Sequence, residues 1–234
     1  MKTVAIILAA GSGKRMGGTV KKQYMLLDGQ PILYYSLKAF SDSFIDEIVL
    51  VTSKEDIEMI KNDIIAPNNF TKVTKIVEGG KERYHSVLNG LNAIKEASYV
   101  FIHDGARPLV DGEILNRALD SVKENKACVV GVKSKDTVKI ATDDGFVEST
   151  PDRNLVWNIQ TPQVFDFDLI KEAYNDIVPK ENELKKWGIN ITDDAMVLEQ
   201  YNGYKIGLVL GSYENIKVTT PDDLLVAEKY LKNR

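Results

Sequence analysis

A chain of 234 residues, 44% of them hydrophobic, is long enough to bury a core and fits one large domain or a domain with an appendage. Its formal net charge of -4 gives no global bias toward nucleic acid. The only cysteine, Cys128, lies in an apolar run, which excludes a disulfide framework, and no run is long enough to span a bilayer. Because the N-terminus carries no export signal, the expected location is cytoplasmic.

The first predicted element is a buried parallel strand over residues 4–8, where apolar side chains follow one another without a break. A glycine-rich segment, 9–18, follows this strand directly. Gly11 and Gly13 let a ligand approach the main chain at the carboxyl edge of a sheet, where open α/β sheets bind ligands. Four cations crowd the same stretch, namely Lys14, Arg15, Lys21 and Lys22. This basic loop therefore favours a polyanion, above all a nucleoside triphosphate.

The glycine spacing separates this loop from two common nucleotide-binding motifs. A dinucleotide fingerprint needs G-x-G-x-x-G and an acid about twenty residues later. Here the third glycine, Gly17, comes one place late, and the next predicted strand does not end in an acid. A P-loop needs G-x-x-x-x-G-K-[ST], which neither Gly11 nor Gly13 starts. A solvated basic turn is the simpler alternative.

Strands and helices then alternate along the chain. Pro31 suits the first position of a helix, and Ser53 is predicted to cap another, with Asp56 as the second member of a capping box. The predicted strands cover 46–52, 73–77, 99–102 and 127–132, and the predicted helices cover 31–40, a segment from 53, a segment around 87–94, and 111–123. This alternation predicts an α/β fold with a Rossmann-like, mostly parallel sheet and helices on both faces. The loops after the first, third and fourth strands then share one edge.

The pattern changes at Lys133. Two extended pieces, 135–140 and 146–149, flank Asp143-Asp144-Gly145, which is a good hairpin signal, and 153–160 is predicted as a further extended piece. Because the segment is polar on both faces, we expect it to project from the body as a β-arm at about 133–160. A helix after Asp166, a helix over 194–200, a strand over 205–210 and a last helix from Pro221 complete the chain.

Several motifs occur together and in one order. They are Ala9-Ala10-Gly11-Ser12-Gly13-Lys14-Arg15-Met16, Lys22-Gln23-Tyr24, Gly79-Gly80-Lys81-Glu82-Arg83 with Ser86-Val87, His103-Asp104-Gly105-Ala106-Arg107-Pro108, Asp136-Thr137-Val138-Lys139, Gln160-Thr161-Pro162-Gln163 and Asn215-Ile216-Lys217-Val218-Thr219. With this set the chain resembles the 2-C-methyl-D-erythritol 4-phosphate cytidylyltransferases of the non-mevalonate isoprenoid pathway, over nearly its whole length. Ribitol-5-phosphate cytidylyltransferases share most of these loops, but Ala-Ala-Gly at 9–11 and Gly-Ala-Arg-Pro-Leu at 105–109 favour the first family. Lys21 stands where that family usually has proline, and Gly105 where it has alanine.

The resemblance implies a reaction and assigns residues to it. A polyol phosphate attacks the α-phosphate of CTP and releases pyrophosphate, so the protein needs cations rather than a general base. The implied catalytic residues are Arg15, Lys22, Arg153 and Lys217, with Arg15 and Lys22 stabilising the pentavalent transition state. The implied nucleotide-binding residues are Ala9, Ala10, Gly11, Ser12, Gly13, Gly79, Gly80, Ser86 and Gly105. Of these, Gly79, Gly80 and Ser86 would read the cytosine, and Gly105 would lie against the ribose. The implied substrate-binding residues are Asp104, Arg107, Thr137, Arg153, Thr161 and Lys217.

The resemblance also sets expectations for the metal and the assembly. Mg²⁺ is bound mainly through the CTP phosphates, and no residue is assigned as a dedicated metal ligand. Asp104 meets either this ion or a substrate hydroxyl, and Arg107 either holds its loop or contacts the acceptor phosphate. One nucleotidyltransferase domain, 1–234, pairs into a homodimer through the arm and has no nucleic-acid or membrane partner.

Three further points concern the role of His103, the identity of the acceptor and whether the protein is an enzyme. His103, beside an apolar run, is expected to be a packed core residue rather than a catalytic one. The acceptor is a polyol phosphate, and ribitol 5-phosphate stays open as the alternative. A non-catalytic protein that uses the fold to bind a nucleotide is the second alternative, although the cations Arg15, Lys22 and Lys217 are all present.

Overall fold

The computed structural model describes residues 1–11 and 20–234. Its strands are β1 (Thr3–Leu8), β2 (Leu26–Leu27), β3 (Gln30–Pro31), β4 (Glu47–Thr52), β5 (Val73–Glu78), β6 (Tyr99–Asp104), β7 (Ala127–Lys133), β8 (Ile140–Ala141), β9 (Val147–Ser149), β10 (Trp157–Asp166) and β11 (Gly207–Leu210). Its α-helices are α1 (Ile32–Ser41), α2 (Ile57–Met59, continued by a π-helical segment Ile60–Ile65), α3 (Arg83–Ala93), α4 (Gly112–Asn125), α5 (Phe167–Ile177), α6 (Glu181–Lys186), α7 (Asp194–Asn202) and α8 (Pro221–Lys232). None of these described helices has the length and apolar character that crossing a membrane requires.

Seven strands form one sheet in the order β11-β7-β10-β6-β1-β4-β5. β10 runs antiparallel to both of its neighbours, while the other strands described in this sheet pair in parallel. The predicted α/β class with a mostly parallel sheet is therefore confirmed. Because β1, β4, β5 and β6 run in one direction, their carboxyl ends lie on the same edge.

β1 lies in the middle of this sheet, and its side chains alternate between two cores. Ala5 and Ile7 pack into a core with side chains of α1 and α4. Val4 and Ile6 pack on the other face with side chains of α3 and α5. All four side chains are fully buried. Burial on both faces explains why the sequence shows a continuous apolar run here instead of an alternating pattern.

Main-chain hydrogen bonds join the loops at the carboxyl edge. They run from Ala9 N to the Val51 carbonyl (2.7 Å), from Gly105 N to the Leu8 carbonyl (2.9 Å) and from Gly79 N to the Thr52 carbonyl (2.8 Å). The loops after β1, β5 and β6 are thus bound to neighbouring strand ends by their main-chain N–H groups. Every residue except proline carries such a group.

Two local predictions were wrong in detail. Ser53 caps no helix with its side chain, because its hydroxyl donates to the Asp56 carboxylate at 2.6 Å, and a 3₁₀ turn precedes α2. The segment Arg153–Leu155 is not extended. It forms a 3₁₀ turn, because the Asp152 carboxylate accepts from Asn154 N at 2.9 Å.

The segment between β7 and β10, residues 134–156, leaves the sheet and is called the arm below. β8 and β9 pair antiparallel as the predicted hairpin, and Gly145 takes a φ of 88° in its turn. Most side chains of the arm are exposed. The arm is shorter than the predicted 133–160, because Trp157 already pairs with Lys133 in the sheet.

Candidate active site

A cleft with a volume of about 370 Å³ lies at the carboxyl edge of the sheet. Residues 8–11, 22, 23, 80–83, 86, 104, 106 and 217 line it. The cleft brings together most of the described residues that the motifs singled out, namely Ala9, Ala10, Gly11, Lys22, Gly80, Ser86, Asp104 and Lys217. The predictions for Ser12, Gly13 and Arg15 lie outside the described residues.

The loop after β5 is built from two glycines that have no space for a side chain. A Cβ at Gly79 would overlap the Ala10 side chain, and a Cβ at Gly80 would overlap His85. Ser86, which is 5% exposed, accepts a hydrogen bond from Gly80 N at 2.9 Å. The Ser86 hydroxyl therefore shapes this loop, and its contact with cytosine stays a prediction.

Gln23 fixes the 3₁₀ turn Lys22–Tyr24, which carries Lys22. Its side-chain amide donates to the carbonyls of Ala9 at 2.6 Å and Gly11 at 3.1 Å. The Gln23 side chain is buried, while Lys22 is half-buried and lines the cleft. Sequence reasoning assigned no role to Gln23, although it belongs to a recognised motif.

Asp104 ends β6 at the cleft and binds two cations. Its Oδ2 accepts from Lys217 Nζ at 2.7 Å, and its Oδ1 accepts from Arg83 Nε at 3.2 Å. Burial alone would raise the pKa of Asp104, but the charges of Arg83, Lys217 and Arg107 outweigh it and hold that pKa well below its ordinary value. Asp104 is therefore ionised at neutral pH and fixes the position of the Lys217 ammonium.

Arg83 is held from its other side by Asp194, which sequence reasoning missed. Arg83 Nη1 and Nη2 donate to the two Asp194 carboxylate oxygens at 2.8 Å each, and Tyr174 donates to Oδ1 of the same fully buried carboxylate at 2.6 Å. Burial would lower the pKa of Arg83, but the charges of Asp194 and Asp104 raise it well above its ordinary value. Arg83 and Asp194 are 111 residues apart, and no local pattern links them.

Thr161 lies behind Asp104, and its role as a substrate ligand stays a prediction. Its hydroxyl accepts from Asp104 N at 3.1 Å and lies 3.0 Å from His103 Nδ1, and its side chain is buried. His103 Nε2 lies 3.2 Å from the Arg107 carbonyl, which can only accept. Nε2 therefore carries the proton, and Nδ1 accepts from Thr161. Full burial of His103 confirms that it is a packed core residue.

Lys217 is carried by the segment 215–219, which is irregular although its composition is strand-like. Arg107 Nη1 donates to the Asn215 carbonyl at 2.8 Å, so Arg107 holds a loop, which is one of its two predicted roles. Asn215 is fully buried and donates from Nδ2 to the Thr161 carbonyl at 3.0 Å. These hydrogen bonds from side chains hold the segment in place of the main-chain hydrogen bonds that a β-strand would make.

Gly105 is buried under the cleft, so its small size serves the packing of the protein itself. A Cβ there would lie 2.9 Å from Leu33 Cδ1 and 3.0 Å from the Leu8 carbonyl oxygen. The predicted contact of Gly105 with the ribose stays a prediction.

Thr137 and Arg153, the two predicted acceptor ligands on the arm, do not line the cleft of their own chain. Both are exposed, and Arg153 Nη1 donates to the Lys135 carbonyl at 3.3 Å within the arm. The fold of one chain therefore does not bring them to Lys22 and Asp104.

Within residues 1–11 and 20–234, no three His, Cys, Asp or Glu side chains come together as a metal site. Both carboxylate oxygens of Asp104 already face cations, Arg83 and Lys217. The described side chains therefore do not fit a resident divalent ion.

His103 makes the stability of the fold depend on pH. Burial lowers its pKa from 6.5 to about 4, so on acidification the unfolded chain takes up this proton before the folded chain does. We expect the free energy of unfolding to fall between pH 6.5 and pH 4, by about 3 kcal/mol from this residue. Urea unfolding of the wild type and of His103→Gln, measured across this range, checks the slope. Parallel curves for the two proteins would contradict the assignment.

The chain matches the family model described as IspD, 2-C-methyl-D-erythritol 4-phosphate cytidylyltransferase, over residues 3–233. A protein named 2-C-methyl-D-erythritol 4-phosphate cytidylyltransferase from Lachnoclostridium phytofermentans is 54% identical over 231 residues, which cover 99% of this chain and 97% of that protein. A protein of the same name from Alkaliphilus oremlandii is 48% identical and covers 100% of this chain and 96% of its own length.

Solved structures show the same likeness in the fold. The crystal structure of a 4-diphosphocytidyl-2C-methyl-D-erythritol synthase from Anaerococcus prevotii matches with a TM-score of 0.86 and 36% identity, over 99% of this chain and 96% of that one. The 2-C-methyl-D-erythritol 4-phosphate cytidylyltransferase of Francisella tularensis matches with a TM-score of 0.78 and 31% identity, over 98% of this chain and 99% of that one. The similarity thus extends over nearly the whole chain in both sequence and fold.

Proposed function

Because the chain belongs to the 2-C-methyl-D-erythritol 4-phosphate cytidylyltransferase family, and is thus a nucleotidyltransferase of the non-mevalonate isoprenoid pathway, we propose that its cleft transfers the cytidylyl group of CTP to 2-C-methyl-D-erythritol 4-phosphate. The products are 4-diphosphocytidyl-2-C-methyl-D-erythritol and pyrophosphate. The observation that carries the proposal is the cleft, which joins residues 9–11 after β1, the crowded glycine loop after β5 and the Asp104–Lys217 pair at one sheet edge.

The chemistry explains why the cleft is rich in cations. A phosphate oxygen of the acceptor forms a bond to the α-phosphorus of CTP, and the bond from that phosphorus to the oxygen of the leaving pyrophosphate breaks. A phosphate monoester dianion is already a nucleophile, so no proton has to be removed from it. The protein must hold two polyanions together and stabilise the charge that gathers on the α-phosphate. We assign that stabilisation to Lys22 and, on the basic loop, to Arg15.

Lys217 is suited to the acceptor side because its ammonium is held in place before the substrate arrives. One of its three N–H bonds is directed to Asp104, which Arg83 holds in turn. A cation that is fixed beforehand needs no reorganisation when charge develops in the reaction. Lys217 would then meet a phosphate oxygen with its remaining donors.

The place of the loop after β5 supports its role in binding the base. Gly80 and Ser86 line the cleft, so groups of this loop are within reach of a nucleotide bound there. Main-chain N–H and C=O groups can pair with the edge of cytosine.

Mg²⁺ is proposed to enter with CTP, since the described side chains offer no site of their own. Bound to the triphosphate, it would neutralise part of the negative charge, which the cations of the cleft also do. The cytoplasmic location predicted from the sequence stays a prediction.

The arm supports a homodimer of a single domain, 1–234. Phe146 is 71% exposed and Leu155 is 79% exposed, and an isolated two-stranded hairpin is marginally stable in water. A second copy of the chain would cover these side chains in a twofold arrangement. The arm would then bring Thr137 and Arg153 to the acceptor phosphate of the partner's cleft, where the planar fork of arginine binds phosphate bidentately.

The direct test supplies CTP and Mg²⁺ with each acceptor in parallel and measures pyrophosphate. We expect release with 2-C-methyl-D-erythritol 4-phosphate and much slower release with ribitol 5-phosphate. Equal or faster turnover of ribitol 5-phosphate would refute 2-C-methyl-D-erythritol 4-phosphate as the acceptor. Cytidylyl transfer from CTP would still be the reaction. Nucleotide binding without release from either acceptor would favour the non-catalytic alternative.

Lys22→Ala is expected to lower kcat at least about a hundredfold, because one preorganised charge at a transition state contributes about 3–4 kcal/mol. The thermal unfolding midpoint should hardly change, since a partly exposed lysine contributes little to folding. Lys38→Ala removes a lysine from an exposed pair with Asp42 and serves as the control. A kcat of Lys22→Ala close to that of the control would show that Lys22 is not at the reacting centre.

The shared site predicts complementation between two inactive variants. Arg153→Ala subunits mixed with Lys22→Ala subunits should regain activity, because one cleft of each heterodimer has Lys22 from one chain and Arg153 from the other. Native mass spectrometry verifies that subunits exchange. If heterodimers form and stay as inactive as the parents, Arg153 acts within its own subunit and the arm-exchange arrangement is wrong.

A further inference from the structure

Lys21, the residue before Lys22, is bound to three side chains of the segment that follows β4. Its Nζ donates to Ser53 Oγ at 2.6 Å, to Asp56 Oδ2 at 2.7 Å and to Glu55 Oε1 at 2.8 Å. An ammonium group has three donors, so this set uses all of them. Lys21, Ser53, Glu55 and Asp56 are called the Lys21 clamp below.

Asp56 is the centre of the clamp. Its side chain is 13% exposed, against 68% for Glu55, so solvent screens its ion pair less. The same carboxylate oxygen accepts from Ser53 at 2.6 Å and from the Tyr24 hydroxyl at 2.9 Å. The Tyr24 and Thr52 hydroxyls lie 3.0 Å apart. The clamp is therefore a network tied to the end of β4, in contrast to an isolated surface pair.

The clamp fixes one side of the turn that carries Lys22. On the other side, Gln23 is bound to the carbonyls of Ala9 and Gly11. The turn itself is closed by a bond from Tyr24 N to the Lys21 carbonyl at 2.9 Å. Lys22 thus lies between two anchored neighbours, and its backbone cannot shift without breaking bonds on one side.

We propose that the Lys21 clamp is a positioning device for Lys22, which sets where the Lys22 side chain enters the cleft. Lys21 itself does not line the cleft, and all its donors are directed to the loop after β4. Lys21 is therefore a positioning residue and does not touch the triphosphate. This inference rests on the role proposed for Lys22 in cytidylyl transfer.

The clamp also couples the two halves of the nucleotide site. Thr52 touches the network through its hydroxyl, and its carbonyl accepts the bond from Gly79 N at 2.8 Å. The turn with Lys22 and the loop with Gly79 are thus joined to the same residue. A loss of the clamp would let one half move against the other.

Lys21→Met tests the proposal, because it keeps the length of the side chain and removes its charge. We expect kcat to fall at least about tenfold, since a shift of about 1 Å of a catalytic group costs up to a hundredfold. KM for CTP should stay within about threefold, because a positioning residue does not bind substrate. Lys21→Arg, which keeps the ion pair, should retain most of the activity. Lys38→Met is the matched control for the loss of an exposed lysine pair.

Asp56→Asn tests the same clamp from its other end and leaves Lys21 in place. Its kcat should fall as in Lys21→Met. The double variant Lys21→Met/Asp56→Asn should be no worse than either single variant, because each one already breaks the shared interaction. If Lys21→Met does not fold, as judged by its thermal unfolding, Asp56→Asn alone decides the question.

Two results would overturn the proposal in an otherwise active enzyme. An unchanged kcat in both single variants would show that Lys22 needs no clamp. A raised KM for CTP with unchanged kcat in Lys21→Met would show that Lys21 binds the triphosphate itself. A wild type that releases no pyrophosphate would instead refute the proposed function, so the two failures are distinguishable.

Discussion

Two cations from distant parts of the chain meet on the carboxylate of Asp104, Arg83 at 3.2 Å and Lys217 at 2.7 Å. Taking charges out of water is costly, and an arrangement of this kind is stable only when each charge has its partner. Asp194 supplies the counter-charge for Arg83, so the network is closed on itself. Removing one member would leave a buried charge uncompensated, which costs far more than a lost surface pair. Charge balance in this network therefore helps to hold the side chains that line the cleft.

The parts of the fold that follow from short-range patterns could be predicted from the sequence. Runs such as residues 4–8, buried on both faces, are recognisable because no polar side chain is tolerated in them. The glycines at 79 and 80 stand out in the sequence as a pair, and in the structure a Cβ at either position would overlap Ala10 or His85. Patterns of this kind involve residues that are close together in the sequence, and such patterns can be recognised in a single sequence.

The parts that depend on long-range pairing could not be predicted. Thr161 stands out because it lies in a motif, but nothing in that motif indicates that its hydroxyl accepts a hydrogen bond from the neighbouring strand, at Asp104 N. Asp194 carries no local signal, since its partner Arg83 lies on another helix. The segment 215–219 has strand-like composition and still forms none, because Arg107 and buried Asn215 hold it with other bonds. The number of residues between two positions does not indicate whether their side chains are in contact in the fold.

The order in which the chain is made decides when the cleft exists. β1, β4, β5 and β6 are complete once residue 104 has been synthesised, and they already supply the glycine loops. Arg83 is synthesised before Asp104, but the other groups around this acid come much later, namely Thr161 on β10, Asp194 on α7 and finally Lys217. A nascent or truncated chain that ends before residue 217 thus presents the nucleotide loops around an acid that lacks its second cation. Such a chain would face a triphosphate with one positive charge fewer, so the cleft gains its full attraction for a polyanion only in the nearly complete polypeptide.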